Sequence, residues 1–284
     1  MPQAAAIILA GGRSSRMGSP KAALEWHGST LLRRVTGVLE RVVDGPIIVV
    51  GAPGQELPDV AERVELVSDF REGQGPMQGI AAGLTAIDGR APVAYVSSTD
   101  VPLLHPAFVR RVIEGFDSTV DVVLPEVGGY RQPLAAVYRG DLLATVEELI
   151  AAERMRPAFL FERCRVRRLD GETLLKDRSL ARFDPQLASV SNLNEPADYE
   201  RARALPAPEI RVELFGSLAT RAVAGRKTER AWSLGQVASA VGLELDEHIV
   251  AALNCDQISR DPHLPLVAGD TVGFMAADEA RSAR

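Results

Sequence analysis

Between residues 11 and 21 the chain gathers three glycines, two arginines and a lysine: Gly11, Gly12, Arg13, Arg16, Gly18 and Lys21. Glycines let a backbone pass close to a ligand and turn several N–H groups into one concavity, which suits an anion such as a phosphate. The cations beside them add fixed positive charge. Lys21 stands out, because Lys176 and Lys227 are the only other lysines among 32 basic residues. A chain that otherwise writes its cations as arginine has kept a compact ammonium here. Two better-known phosphate loops do not fit. Ser19 and Pro20 separate Gly18 from Lys21, so there is no Gly-Lys-Ser/Thr ending. The adjacent pair Gly11-Gly12 lacks the Gly-x-Gly-x-x-Gly spacing of a dinucleotide loop.

Three more stretches carry polar groups at places where a sheet would present them. Asp69 follows an apolar run, and Gly73, Gly75, Pro76 and Gly79 then form a loop that leads into a helix. Pro76 is pre-set for the first turn of that helix, whose positive end favours a negative or polar ligand. Asp100 ends a second apolar run, Val93 to Ser97. A carboxylate there, beside a phosphate loop, is placed to hold Mg²⁺. Asn192 and Asn194 alternate on what reads as an extended segment, which puts both amides on one side.

The elements that must position these groups alternate strand and helix for about two hundred residues. Residues 5–10 form an apolar run that reads as a strand buried on both faces. Residues 46–51, 64–68 and 93–97 read as further buried strands, and 121–125 and 134–138 as two more. Helices are expected over 31–42, 76–87, 108–116 and 141–152, the first capped by Ser29 or Thr30. Ligands of open parallel sheets collect at the carboxyl edge, where the loops after residues 10, 69 and 98 should meet. Arg154, Arg156, Arg163, Arg165, Arg167 and Arg168 make a basic region that is either a solvated face or a phosphate-binding one.

Composition fits an enzyme with one large and one small domain: 284 residues, 46% hydrophobic and 25% charged. A net charge of −6 argues against general nucleic-acid binding. No apolar run approaches a membrane span, so no membrane partner is expected. Cys164 and Cys255 match no metal or redox spacing, and two idle thiols suit a cytoplasmic location.

Taken together, the loop at 9–21, Gly75-Pro-Met-x-Gly79, Asp100-x-Pro, Gln132-Pro-Leu and Asn192-x-Asn194-x-Pro occur in an order that resembles the molybdenum cofactor guanylyltransferases. The likeness covers roughly residues 4–204. It implies a Rossmann-like, mostly parallel α/β domain that moves GMP from GTP onto the terminal phosphate of molybdopterin. It also implies that Leu9, Ala10, Gly11, Gly12, Lys21, Asp69, Gly75, Pro76, Gly79 and Asp100 contact GTP. Lys21, Arg16 and Asp100 would act in catalysis, with Asp100 also holding Mg²⁺. Arg131, Gln132, Asn192 and Asn194 would lie toward molybdopterin. One departure is Gly51-Ala52-Pro53, where the family often carries an asparagine near the base; it leaves cytosine selection open. A cytidylyl or other small-molecule nucleotidyltransferase, or a non-catalytic assembly protein, is the alternative.

After the stiff linker at 205–208, the pattern changes. Residues 209–215, 249–254 and 269–274 read as strands and 233–241 as a helix. Residues 209–284 resemble the small subunit of molybdopterin synthase, a ubiquitin-like sulfur carrier of the β-grasp fold. Val250 to Asn254 and Ala268 to Val272 carry that likeness. No glycine follows Gly273, where a carrier would end in Gly-Gly. The expectation is a module that keeps the carrier's shape without its chemistry and docks proteins of the cofactor pathway or their apo-enzyme clients.

Overall fold

A computed structural model describes residues 2–11, 20–69, 75–221 and 227–278. The chain divides into two compact units, one formed by Met1–Trp26 and Thr30–Glu200, the other by His27–Ser29 and Arg201–Arg284.

The first unit is built on strand β1 (Ala4–Leu9). Ala5, Ala6, Ile7 and Ile8 are fully buried, so the strand is covered on both faces, as its unbroken apolar run requires. Parallel to it on one side lie β2 (Ile47–Gly51) and then β3 (Val64–Ser68). On the other side lies β4 (Val93–Ser98), also parallel. Beyond β4 come β6 (Ala135–Arg139), β5 (Val122–Val127) and β7 (Val166–Asp170). The sheet order is β7-β5-β6-β4-β1-β2-β3, and the two-residue strand Tyr130–Arg131 pairs with the end of β5. Strand β6 runs antiparallel to both its neighbours. Its reversal restores β5 to the direction of β1, so β1, β2, β3, β4 and β5 all end at one edge.

Helices α1 (Leu31–Glu40), α2 (Pro76–Ile87), α3 (Pro106–Glu114) and α4 (Leu143–Ala151) cover the sheet. Thr30 caps α1, its hydroxyl accepting from the Arg33 N–H. Helix α2 lies close over β1 because two of its residues lack side chains. A Cβ on Gly83 would stand 2.4 Å from Ile7 Cγ2, and one on Gly79 would stand 2.8 Å from Leu9 Cδ2. Helix α3 is capped by His105, whose Nδ1 accepts from the Ala107 N–H.

Strand β7 was not anticipated from the sequence, and it accounts for much of the basic region. It lies parallel to β5 at the open edge of the sheet, with Leu169 buried and Val166 packed partly buried against the core. The arginines around it are paired: Arg154 with Glu162, Arg163 with Glu148, Arg165 with Asp121, Arg167 with Asp117 and Arg168 with Glu126. A solvated, ion-paired face is therefore the reading that fits these five.

The second unit has a five-stranded sheet of its own. Its strands are β8 (Glu209–Leu214), β9 (Lys227–Arg230), β10 (Ile249–Leu253), β11 (Gln257–Ser259) and β12 (Thr271–Ala276), in the order β9-β8-β12-β10-β11. β8 and β12 are parallel, and the other neighbours are antiparallel. One helix, Leu234–Ala240, is capped by Ser233 and buries Leu234 and Val237 with Ile210, Val212, Leu253, Val272 and Phe274. A buried Asp270 accepts from the Asn254 side chain and from the Val267 N–H, which fixes the turn into β12. Strands β9 and β11 are short and polar, with no apolar alternation for the sequence to display.

Asp121 fastens the opening of β5 to both its neighbours. Its carboxylate accepts from the Arg165 N–H and guanidinium and lies 3.1 Å from Arg139 Nε. The hydrogen bonds from Arg165 pull its pKa down to about 2, against the opposing effect of burial. A carboxyl held below its unfolded value of about 3.9 stabilises the fold above that pH and loses the contribution as pH falls toward its folded value. The urea midpoint of wild-type protein should therefore fall more steeply between pH 4.5 and 2 than that of Asp121→Asn, with the two curves converging at the acid end.

Candidate active site

The carboxyl edge of the first unit brings together groups that are far apart in sequence. Lys21 opens a single 3-10 turn, Lys21–Ala23, anchored by the buried Ala22. Its Nζ lies 2.7 Å from Asp100 Oδ2. Asp100 comes two residues after β4, and its other oxygen accepts from the Ser98 hydroxyl at 2.6 Å. Both side chains are mostly shielded, 22% exposed for Lys21 and 14% for Asp100. An ammonium and a carboxylate held so close at a strand end form a polarised centre that pairs a cation with hard oxygen donors.

The turn that carries Asp100 is held from two sides. Arg34, a buried arginine on α1 beside the Trp26 ring, donates through Nε to the Pro102 carbonyl. From the other side the Leu193 N–H donates to the Asp100 carbonyl at 2.9 Å. Leu193 is buried, while Asn192 and Asn194 on either side of it are exposed. The asparagine pair therefore flanks the Asp100 turn, on an irregular segment rather than an extended strand. Asp184 sets its position by accepting from the Ala188 and Ser189 N–H groups and the Ser189 hydroxyl. Ser189 Oγ in turn accepts from the His105 N–H.

On the far side of β1, the Ala10 and Gly11 N–H groups both donate to the Val50 carbonyl, at 2.8 and 3.1 Å. Those two amides are committed to the sheet. Gly12 and Arg16 lie outside the described residues, as do Arg13, Gly18 and Gly73. Leu9 packs against Gly79, which gives that glycine a packing role. Gly75 has φ +86 and precedes Pro76 at the start of α2, so a side chain there would be strained. The Asp69 N–H donates to the Gly51 carbonyl at 2.7 Å, which sets Asp69 beside the β2 loop.

Arg131 and Gln132 stand at the same edge, but their own hairpin holds them. Arg131 lies 3.5 Å from Glu126 across the strand pair, and Gln132 Nε2 donates to the Tyr130 carbonyl. Among the described residues no three His, Cys, Asp or Glu side chains gather as a metal cluster. Asp100 and the Ser98 hydroxyl still offer hard oxygen donors. One carboxylate completed by substrate phosphates is the usual way a transferring enzyme holds Mg²⁺, so these residues fit that ion.

Arg34 escapes a reading of the sequence, although a lone buried arginine inside a helix's apolar face was a signal available for it.

Residues 6–166 match the model of the MobA-like NTP transferase domain. The chain belongs to that family. It is a nucleotidyltransferase with an α/β sheet in which parallel strands predominate. A probable molybdenum cofactor guanylyltransferase of Pelotomaculum thermopropionicum is 34% identical over 205 residues, 72% of this chain and 94% of that protein. One from Mycobacterium avium is 40% identical over 153 residues, 52% of this chain and 76% of that protein. In fold, this nucleotidyltransferase is similar to the crystal structure of molybdopterin-guanine dinucleotide biosynthesis protein A from Archaeoglobus fulgidus. That match has a TM-score of 0.55 and 24% identity, and it covers 70% of this chain and 96% of that one.

Proposed function

We propose that this nucleotidyltransferase moves GMP from GTP to the terminal phosphate of molybdopterin, forming the guanine dinucleotide cofactor and pyrophosphate. The observation that carries the reading is the likeness to guanylyltransferases over 72% of the chain. A phosphate oxygen of molybdopterin attacks the α-phosphorus of GTP, and the bond from that phosphorus to the β-phosphate's bridging oxygen breaks. The nucleophile is already an anion, so no strong general base is required. Catalysis is positioning and charge neutralisation.

In this reading Lys21 and Arg16 neutralise the triphosphate, and amides from Gly12 onward cradle it. Leu9, Ala10, Gly11, Asp69, Gly75, Pro76 and Gly79 shape the nucleoside site. Asp100 is the residue that would hold Mg²⁺, and Ser98 orients that carboxylate. When bound, the ion supplies positive charge against the triphosphate and the departing pyrophosphate. Asn192 and Asn194, flanking the Asp100 turn, serve the molybdopterin side, together with Arg131 and Gln132 from the hairpin.

The domain reading is part of the same proposal: a nucleotidyltransferase domain over 1–204, a linker at 205–208 and a β-grasp module over 209–284. The strand order β9-β8-β12-β10-β11, with its central strands β8 and β12 parallel, supports a β-grasp module. Its proposed task is to dock the protein that supplies molybdopterin or the apo-enzyme that receives the product. The cytoplasm is the proposed compartment, and the free thiols of Cys164 and Cys255 are compatible with it.

Three measurements test these statements. Lys21→Ala and Asp100→Ala should each lower kcat by about 10²–10³ in folded protein, because each removes charge stabilisation at the reacting phosphates; near-normal turnover in both would sink the assignment. GTP should surpass CTP in kcat/KM with molybdopterin as acceptor, and the reverse order would overturn the base choice alone. Removing residues 209–284 should leave the GTP Kd unchanged and weaken hand-over of molybdopterin from its supplying protein, seen as a loss of product at low acceptor concentration.

A further inference from the structure

The parallel ladder of β1 and β2 runs in register from Ala6 opposite Ile47 to Leu9 opposite Val50. Past that point the strands part, and two peptide groups lose their ladder partners: the Ala10 carbonyl and the Ala52 N–H. Buried peptide groups at a strand end need replacement partners. One side chain satisfies both. Gln55 Nε2 donates to the Ala10 carbonyl at 3.2 Å, and Gln55 Oε1 accepts from the Ala52 N–H at 2.9 Å. The two bonds leave no ambiguity about which end of the amide is which, since a carbonyl can only accept and an N–H can only donate.

A primary amide has the donor and acceptor of a peptide group, so Gln55 adds one more rung to the ladder after the backbone has stopped providing them. Its neighbours are built to admit it. A Cβ on Gly11 would stand 3.1 Å from the Ala52 nitrogen, and one on Gly51 would stand 3.1 Å from Leu57 Cδ1. The glycine that replaces a side chain just after β2 thus makes room for the loop that brings Gln55 back. Through Gly51, whose carbonyl accepts from the Asp69 N–H, the same loop also reaches the end of β3. Gln55 therefore ties Ala10 to Ala52, next to Gly51, whose own carbonyl holds the Asp69 N–H.

We propose that Gln55 is a positioning residue for the nucleoside triphosphate. It fixes the Ala10–Gly11 peptide, which follows β1 in the chain, from its carbonyl side. Val50 fixes the same peptide from its N–H side. With both sides held, that peptide is kept in one orientation. This inference rests on the reading that a nucleotide binds at this loop. Gln55 does not touch the reacting atoms and has no part in the acceptor site.

The test is GTP binding to the full chain with Mg²⁺ and no acceptor, followed by calorimetry, for wild type, Gln55→Glu and Gln55→Ala. Glutamate keeps the length but cannot donate to the Ala10 carbonyl, and alanine removes the rung without adding charge. Each should raise the GTP Kd roughly tenfold, the effect of losing one or two hydrogen bonds to backbone. In turnover, KM for GTP should rise while KM for molybdopterin stays within twofold, a split that general loosening of the fold would not produce. Wild-type GTP affinity in both folded variants would overturn the role given to Gln55. A wild-type chain that binds no nucleoside triphosphate would overturn the nucleotide reading, and this inference with it.

Discussion

The ion pair between Lys21 and Asp100 is the constraint around which the first unit is arranged. The two residues are 79 positions apart and share no ladder. Each is brought to the other by a different device. Lys21 rides on a single turn pinned by a buried alanine, and Asp100 on a turn clamped by Arg34 from one side and Leu193 from the other. Surface ion pairs contribute little because water and side-chain entropy compete with them. This pair is shielded, and each partner is also held by contacts of its own turn, so less side-chain freedom is lost in keeping the two together.

That pre-organisation depends on the sheet's composition of directions. Strands β5 and β7 end at the same edge as β1–β4 only because β6 reverses between β4 and β5. The hairpin with Arg131 and Gln132 consequently shares an edge with Asp100, although a strand of opposite sense lies between. Glycine in α2 has the complementary effect, lowering the helix onto β1 and bringing its positive end to the same rim.

Much of this could be read from residue types alone, and the parts that could not have a common cause. The buried run at residues 4–9, the proline that starts α2 and the carboxylate after β4 all announce themselves locally. The direction of β6 does not, because a strand buried on both faces shows the same apolar run whichever way it points. Strand β7 stayed hidden for the opposite reason, since four of its five side chains are polar or partly exposed. Gln55 and Arg34 act on backbone groups contributed by other segments, and such partnerships have no signature in a single stretch of sequence. Asn192 and Asn194 were legible as a pair, but the buried leucine between them is what sets their place.

The arginine-rich edge has a consequence for how this protein behaves in company. An open sheet ends in a row of unpaired peptide groups, a template on which another chain can add as a strand. Strand β7 meets solvent behind Arg167 and Arg168, each paired to a carboxylate of the same sheet region, so an incoming strand would have to displace those ion pairs and desolvate their charges. At the opposite end, β3 exposes Leu66, but Glu65 beside it is engaged by Arg90 at 2.6 Å. Charge thus guards both flanks of a sheet whose interior is almost wholly aliphatic, and it discourages the self-association that such an interior would otherwise invite.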